Sequence, residues 1–167
     1  MLAFEQARAS EAAILSDLAF ASKSYWPYSS DQLQRWASDL RVTSTGIERW
    51  PTMTARLDGA LAGFYQLRRQ ADGAVRLEHF WLLPAFIGKG WGRSMLNDAV
   101  ERARALRASR LYIESDPHAE AFYVACGAVR VGEIPAPIEG AEARTLPILT
   151  ISLKPARRPA RPMHDWL

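Results

Sequence analysis

The sequence is poor in cysteine and has no long apolar run. Its 167 residues include one cysteine, Cys126, which excludes an intrachain disulfide and a cysteine-based metal site. No apolar run reaches the roughly 18–20 residues that span a bilayer. The N-terminal stretch carries Glu5 and Glu11 in place of the basic residues of a secretory signal. We therefore expect a cytoplasmic protein that has no membrane partner.

The sequence also lacks a large excess of one charge. Its 21 Lys and Arg residues against 18 Asp and Glu residues give a net charge of +3. Residues 154–167 hold four basic residues and one acidic residue, so the rest of the chain is balanced. A neutral body argues against nucleic acid as the main partner, because phosphate binding requires a basic face. The length predicts one domain over residues 1–153, followed by a Pro/Arg-rich tail over 154–167.

The spacing of apolar and turn residues predicts an α/β fold with one mixed sheet. A short strand and two helices come first, and a three-stranded meander with a turn at Asp58-Gly59 follows. Pro84 ends the third strand of the meander, and a glycine-rich turn leads into a helix. The complete predicted order is β, α, α, β, β, β, glycine-rich turn, α, β, α, β, β.

The glycine-rich turn is the strongest local signal and reads Ile87-Gly88-Lys89-Gly90-Trp91-Gly92-Arg93. Its glycines let the backbone approach a ligand, and the start of the following helix favours an anion. The P-loop pattern is absent, and the glycines do not have the spacing or position of a Rossmann turn. Two interpretations remain: a site for the pyrophosphate of coenzyme A, or a flexible connection between a strand and a helix.

Two motifs resemble those of the GNAT-type N-acetyltransferases. Ile87-x-x-Gly90-x-Gly92 resembles the acetyl-CoA motif Q/R-x-x-G-x-G/A, although Ile87 departs from its first position. Asp116-x-x-Ala119-x-x-Phe122-Tyr123-x-x-x-Gly127 resembles the second signature of the family, with Asp116 in place of Asn. The element order over residues 2–153 matches as well. The resemblance implies a mostly antiparallel sheet of six to seven strands that splays between strands 4 and 5, flanked by about four helices.

The resemblance implies acetyl-CoA as the acyl donor, with no metal. It places pantetheine in the gap between strands 4 and 5, where a main-chain donor near Leu83 would polarise the thioester carbonyl. An alternative is a GNAT fold that binds an acyl-CoA without catalysis, as a sensor or interaction module. The residues that the resemblance assigns to the donor are Trp81, Leu82, Leu83, Gly88, Lys89, Gly90, Trp91, Gly92, Arg93, Asp116 and Phe122.

Acyl transfer to an amine needs a base for the amine and an acid for the departing thiolate. The resemblance assigns the role of acid to Tyr123; the alternative is that this side chain only packs beside Phe122. Glu78, on the strand before the turn, is the candidate base. Its alternative role is an ion pair with Arg76 or Arg69.

His79 is the second polar candidate on that strand, either at the acceptor or as a hydrogen-bonded structural histidine. Strict alternation along a strand places His79 on one face with Val75, Leu77, Trp81 and Leu83. It places Glu78 on the other face with Arg76, Phe80 and Leu82. Cys126 is predicted to be a small core residue, because it lies near a helix end, where a thiolate is not stabilised.

The resemblance places the acceptor between the first two helices and the strand hairpins. Tyr25, Trp26 and Tyr28 lie in that stretch, and Trp36 and Tyr65 are expected nearby. Aromatic walls hold an ammonium group by cation–π contact; alternatively, Tyr25 and Trp26 fix the helix junction. We expect an acetyltransferase that acts on a small-molecule amine in preference to a protein, and a homodimer is compatible with the resemblance.

Overall fold

A computed structural model describes residues 1–154, and the predicted tail lies outside them except for Lys154. The strands are β1 (Leu2–Gln6), β2 (Thr52–Leu57), β3 (Ala60–Arg69), β4 (Val75–Leu82), β5 (Arg110–Glu114), β6 (Val129–Pro135) and β7 (Thr145–Ser152). The α-helices in this range are α1 (Ala12–Lys23), α2 (Ser30–Arg35), α3 (Ser44–Arg49), α4 (Trp91–Ala105) and α5 (Glu120–Ala125). None of these helices is long and apolar enough to cross a membrane.

The seven strands form one mixed sheet in the order β1-β2-β3-β4-β5-β7-β6. All neighbouring strands are antiparallel except β4 and β5, which are parallel. These two strands pair only at Val75 with Leu111 and at Arg76 with Tyr112. Beyond these pairs β4 continues to Leu82, so a fork opens between the two strands. The predicted fold class, including the splay between strands 4 and 5, is confirmed.

Local side-chain contacts explain where the short helices α2 and α3 begin. The Ser29 hydroxyl accepts a hydrogen bond from the amide of Gln32 at 3.1 Å at the start of α2. The Thr43 hydroxyl accepts one from the amide of Gly46 at 3.0 Å at the start of α3. Both are N-caps that satisfy an otherwise unpaired helix donor.

Two apolar clusters lie on opposite faces of the sheet. The first packs the sheet against α4 and includes Tyr65, Leu67, Met95, Leu96, Leu111 and Ile113. The second packs the sheet against α1 and α3 and includes Leu15, Leu18, Ile47 and Phe64. The fork between β4 and β5 therefore has an α4 side and an α1 side.

A bulge in β4 breaks the strand alternation. Gln66 of β3 faces His79, whereas the next residue, Leu67, faces Leu77. Glu78 is therefore one extra residue on β4 with no partner of its own.

The bulge makes the predicted faces of β4 wrong. On the α4 side the strand places Val75 and Leu77 before the bulge, and Phe80 and Leu82 after it. Trp81 packs on the α1 side, where the His79 ring lies 5.6 Å from that of Phe64. The physical reason is that an inserted residue exchanges the faces of all side chains beyond it.

Candidate active site

A cavity of about 440 Å³ lies in the fork between β4 and β5. The glycine-rich turn borders it on the α4 side, and the end of α1 borders it on the other. Most of its accessible wall is apolar, and several of its side chains are acidic. It is lined by Ser22, Trp26, Leu77, Glu78, Phe80, Trp81, Leu82, Ile87, Gly88, Gly90, Gly92, Arg93, Ile113, Glu114, Asp116, His118, Ala119, Phe122 and Tyr123.

The turn before α4 is an open backbone cradle. Gly88 and Gly90 have φ angles of 79° and 84°, which L side chains adopt rarely. A Cβ atom at either position would meet no atom within 4 Å, whereas one at Gly92 would lie 3.1 Å from the Phe122 ring. The first amides of a helix have no partner within the helix. The cradle thus has the room and the donors to fit the pyrophosphate of acetyl-CoA.

The side chains of Lys89, Trp91 and Arg93 are less well placed than the glycines of the turn to contact a ligand in the cavity. The Arg93 side chain lines the cavity, but its Nη2 donates to the Ala125 carbonyl at 3.1 Å. Lys89 is exposed, and Trp91 packs against the core on the α4 side. Neither is among the residues that line the cavity. The structure therefore brings together only part of the predicted donor set.

A backbone donor from β4 faces the fork, at a position one residue from the predicted one. The Leu83 amide donates to the Ala62 carbonyl of β3 at 2.8 Å. Successive amides of an antiparallel strand point to opposite edges. The Leu82 amide therefore points into the fork, and the amides of Trp81 and Leu83 point towards β3. Of these three amides, only that of Leu82 faces the fork.

Tyr123 lies in the cavity wall on α5 and is 7% exposed. Its ring centroid is 5.1 Å from that of Phe122 and 5.9 Å from that of Phe80. Within residues 1–154 its hydroxyl group makes no side-chain hydrogen bond. Burial, reinforced by Cys126 and Asp116, raises the pKa of Tyr123 well above its usual range. The hydroxyl group therefore stays protonated and can donate.

A guanidinium group joins two carboxylates on the α1 side of the fork. Arg76 donates to both oxygens of Glu114, at 3.0 and 2.9 Å. Its Nε lies 3.0 Å from Glu78 Oε2, but this contact lacks hydrogen-bond geometry. Glu114 was not among the predicted site residues. Its position at the end of β5, beside the fork, is the sequence signal that could have found it.

His79 is buried and lies outside the cavity lining. Its Nδ1 accepts a hydrogen bond from the Trp81 Nε1 at 3.0 Å. Burial, together with the charge of Arg76, lowers the pKa of His79 to about 4. These observations favour the structural interpretation of a neutral imidazole that orients Trp81.

The low pKa of His79 makes the stability of the protein depend on pH. In the unfolded chain this imidazole binds a proton below its ordinary pKa of 6.5, but in the folded protein only below about 4. The free energy of unfolding should therefore fall by up to about 3 kcal/mol as the pH is lowered from 6.5 to about 4, because only the unfolded state takes up the proton in that range. Urea unfolding of the wild-type protein and of His79→Asn, which keeps an acceptor for Trp81, tests this. We expect the free energy of unfolding of the variant to depend less on pH. Parallel pH dependences of the two proteins would contradict the assignment to His79.

Two of the predicted acceptor-binding aromatics are already occupied by cations of the protein itself. The Lys23 Nζ lies 5.0 Å from the ring centroid of Tyr28 and 4.7 Å from that of Trp36. The guanidinium of Arg144 lies 5.5 and 5.2 Å from the same two rings. None of these four side chains lines the cavity. We therefore do not retain Tyr28 and Trp36 as direct contacts of an acceptor.

Asp116 ties this aromatic cluster to the cavity. Its carboxylate forms a buried ion pair with Lys23 and accepts from the Tyr28 hydroxyl at 2.8 Å and from the His118 amide at 2.9 Å. Burial raises the pKa of Asp116, but Lys23 and the hydrogen bonds from the His118 amide and the Tyr28 hydroxyl together bring it below its usual value. Burial also lowers the pKa of Lys23. Asp116 lines the cavity, with its carboxylate held by Lys23.

The remaining predicted acceptor residues separate into three environments. Trp26 lines the cavity, stacked on His118 with ring centroids 5.3 Å apart. Tyr25 is half-exposed and meets the Trp26 ring edge-on, with ring centroids 5.0 Å apart. Tyr65 is fully buried in the core on the α4 side, where its hydroxyl donates to Asp98. Of these, the structure brings only Trp26 to the cavity.

The family assignment follows from comparison with known proteins. Residues 13–128 match the model of the acetyltransferase (GNAT) family, and the chain belongs to that family. The family and the fold identify the protein as an acyltransferase. No curated protein matches the chain significantly in sequence.

Solved structures share the fold at low sequence identity. A GCN5-related N-acetyltransferase from Rhodopseudomonas palustris is 22% identical, with a TM-score of 0.74 over 90% of this chain and 95% of that one. PaiA N-acetyltransferase from Thermoplasma acidophilum, in complex with coenzyme A, is 16% identical, with a TM-score of 0.73 over 91% and 99%. YncA, a putative acetyltransferase from Salmonella typhimurium with acetyl-CoA, is 14% identical, with a TM-score of 0.68 over 95% and 98%.

Proposed function

We propose that the protein transfers an acetyl group from acetyl-CoA directly to the primary amine of a small molecule. The observation that carries this proposal is the cavity in the fork. It borders a backbone cradle for an anion on the α4 side and an acidic, aromatic wall on the α1 side. A donor and an acceptor bound on opposite sides would meet between β4 and β5, as direct transfer requires.

The α4 side of the fork suits acetyl-CoA. The amides at the start of α4, which follow Gly88 and Gly90 in the chain, would hold the pyrophosphate. The positive charge of Arg93 would attract the same anion. The Leu82 amide would donate to the thioester oxygen as negative charge develops on it. The apolar surface of Phe80 and Phe122 would cover the pantetheine arm.

Tyr123 is the proposed acid of the reaction. The amine nitrogen forms the new C–N bond as the C–S bond breaks, and the sulfur leaves as a thiolate. The Tyr123 hydroxyl gives its proton to that sulfur and is reprotonated from water. The acceptor, as an ammonium ion, loses two protons in total. One of them balances the proton of the new thiol group, and the other passes to solvent.

Glu78 is the proposed base, which removes the first proton directly or through one water molecule. Of the two carboxylates that Arg76 joins, Glu114 is held through both oxygens. Glu78 contacts Arg76 without hydrogen-bond geometry. Because accepting a proton competes with existing hydrogen bonds, Glu78 is the better placed of the two.

Release of free thiol from acetyl-CoA in the presence of a panel of amines tests the proposed function. We expect thiol release that depends on both substrates, and formation of the N-acetyl product in equal amount by mass spectrometry. Calorimetric titration with acetyl-CoA is run in parallel. Binding of acetyl-CoA without turnover of any amine would favour the non-catalytic sensor instead.

A further inference from the structure

The acidic residues that line the acceptor side of the cavity have no Lys or Arg beside them in that lining. We define the acceptor mouth as the lining residues on the α1 side of the fork: Ser22, Trp26, Glu78, Trp81, Glu114, Asp116 and His118. Three of the seven are carboxylates, and none is Lys or Arg. Arg93, the only Lys or Arg in the whole described lining, belongs to the turn on the other side.

The cations behind this wall are already engaged. Lys23 and Arg144 are 10% and 9% exposed, and they surround Asp116 at the back of the wall. Arg76 is shared between Glu78 and Glu114, so this group of three has a net charge of −1. By contrast, the buried Lys23 and Arg144 give the group around Asp116 a net charge of +1. A carboxylate entering the mouth would find no cation in the lining to receive it, and would meet like charges at close range.

The walls of the mouth offer flat apolar surface. The indole of Trp26 is fixed by stacking on His118, and the indole of Trp81 is fixed by its hydrogen bond to His79. Held in this way, the two rings lose little conformational freedom when a ligand packs on them. An aromatic or other apolar group fits this surface, and an ammonium group fits the negative carboxylates beside it.

We propose that the acceptor is a primary amine with an aromatic or similar apolar body and no carboxylate near the amine. This inference rests on the proposed function and names the substrate class of the same site. It assigns Glu114 as a specificity-determining residue, because it balances Arg76 and so keeps that guanidinium from binding an acid.

Phenethylamine, phenylalaninamide and phenylalanine form the test series, since they share one ring and differ in the carboxylate. Binding of each is measured by calorimetry to the protein saturated with free CoA, and kcat/KM is measured with acetyl-CoA. We expect phenylalanine to be at least about tenfold weaker in both measurements than the two counterparts that lack a carboxylate. In Glu114→Gln, which frees Arg76, this difference should narrow by several fold.

Several outcomes would overturn the inference. Equal or tighter binding of phenylalanine would do so, as would turnover confined to aliphatic polyamines or to a lysine peptide. Binding of none of the three compounds would also refute the acceptor class. If no amine is acetylated, the proposed function fails, but the binding series to the CoA complex still decides the inference. Should Glu114→Gln not fold, the comparison on the native protein is sufficient.

Discussion

Replacing Tyr123 with phenylalanine should lower kcat at least about tenfold and leave the affinity for acetyl-CoA nearly unchanged. Loss of a positioned acid removes typically 10²–10⁴ of a rate enhancement, and the lower part of this range is expected where water can replace it. The variant keeps the ring that packs against Phe122 and Phe80, so the cavity wall remains. Steady-state kinetics and calorimetric titration measure the two quantities separately.

The raised pKa of Tyr123 also predicts the form of the pH profile of the rate. Because the pKa of Tyr123 is raised well above its usual range, the wild-type rate should not fall through loss of this proton up to about pH 10. Tyr65→Phe is the matched control, since Tyr65 is also buried but its hydroxyl contacts Asp98 in the core. We expect that control to lose stability and keep its kcat. An unchanged kcat in Tyr123→Phe would reduce Tyr123 to a packing residue.

Gly90→Asp should weaken acetyl-CoA binding by at least about a hundredfold. The new carboxylate would lie directly before the first residue of α4, where the pyrophosphate is proposed to bind. Two like unit charges about 4 Å apart repel by about 4 kcal/mol at an effective dielectric constant of 20. A Cβ atom at Gly90 would meet no atom within 4 Å. The side chain therefore has room, although the φ angle of 84° strains an L residue, and calorimetric titration can measure the loss of affinity.

Gly90→Asn separates charge from backbone strain in that experiment. Both side chains have nearly the same shape, and both tolerate the left-handed conformation that the φ angle of 84° demands. We expect Gly90→Asn to bind acetyl-CoA within about tenfold of the wild-type protein. If the two variants lose affinity equally, the cradle does not receive an anion, and the pyrophosphate does not bind at this turn.

The element order and the main turns could be predicted from the sequence, because they depend on local chemistry. Asp58-Gly59 lies between β2 and β3, Pro84 follows β4, and the glycine-rich turn begins α4 as expected. Helix α3 escaped prediction, since six residues with one buried apolar side chain, Ile47, give too short a periodic signal. The N-cap of this helix, Thr43, could have revealed it.

The site residues divide in the same way. The position of the turn glycines and of Tyr123 beside the cavity could be predicted, because motif spacing fixes their place at the start of α4 and on α5. Glu114 could not, since its role depends on the parallel pairing of β5 with β4 and on the reach of Arg76. The sequence could not predict which side chains of β4 share a face, because a one-residue bulge reverses the alternation and has no signature in the strand itself.

The fold class, the family motifs and the glycine-rich backbone cradle could be inferred from the amino-acid sequence alone, because all three follow from short-range spacing. Which charges remain available to a ligand depends on the tertiary structure. Lys23, Asp116 and Arg144 lie far apart in the chain, and only folding joins them around Tyr28 and Trp36. Burial outside water makes each charge require a partner. Tyr28 and Trp36, which were predicted to receive an acceptor's ammonium group, consequently hold the protein's own cations.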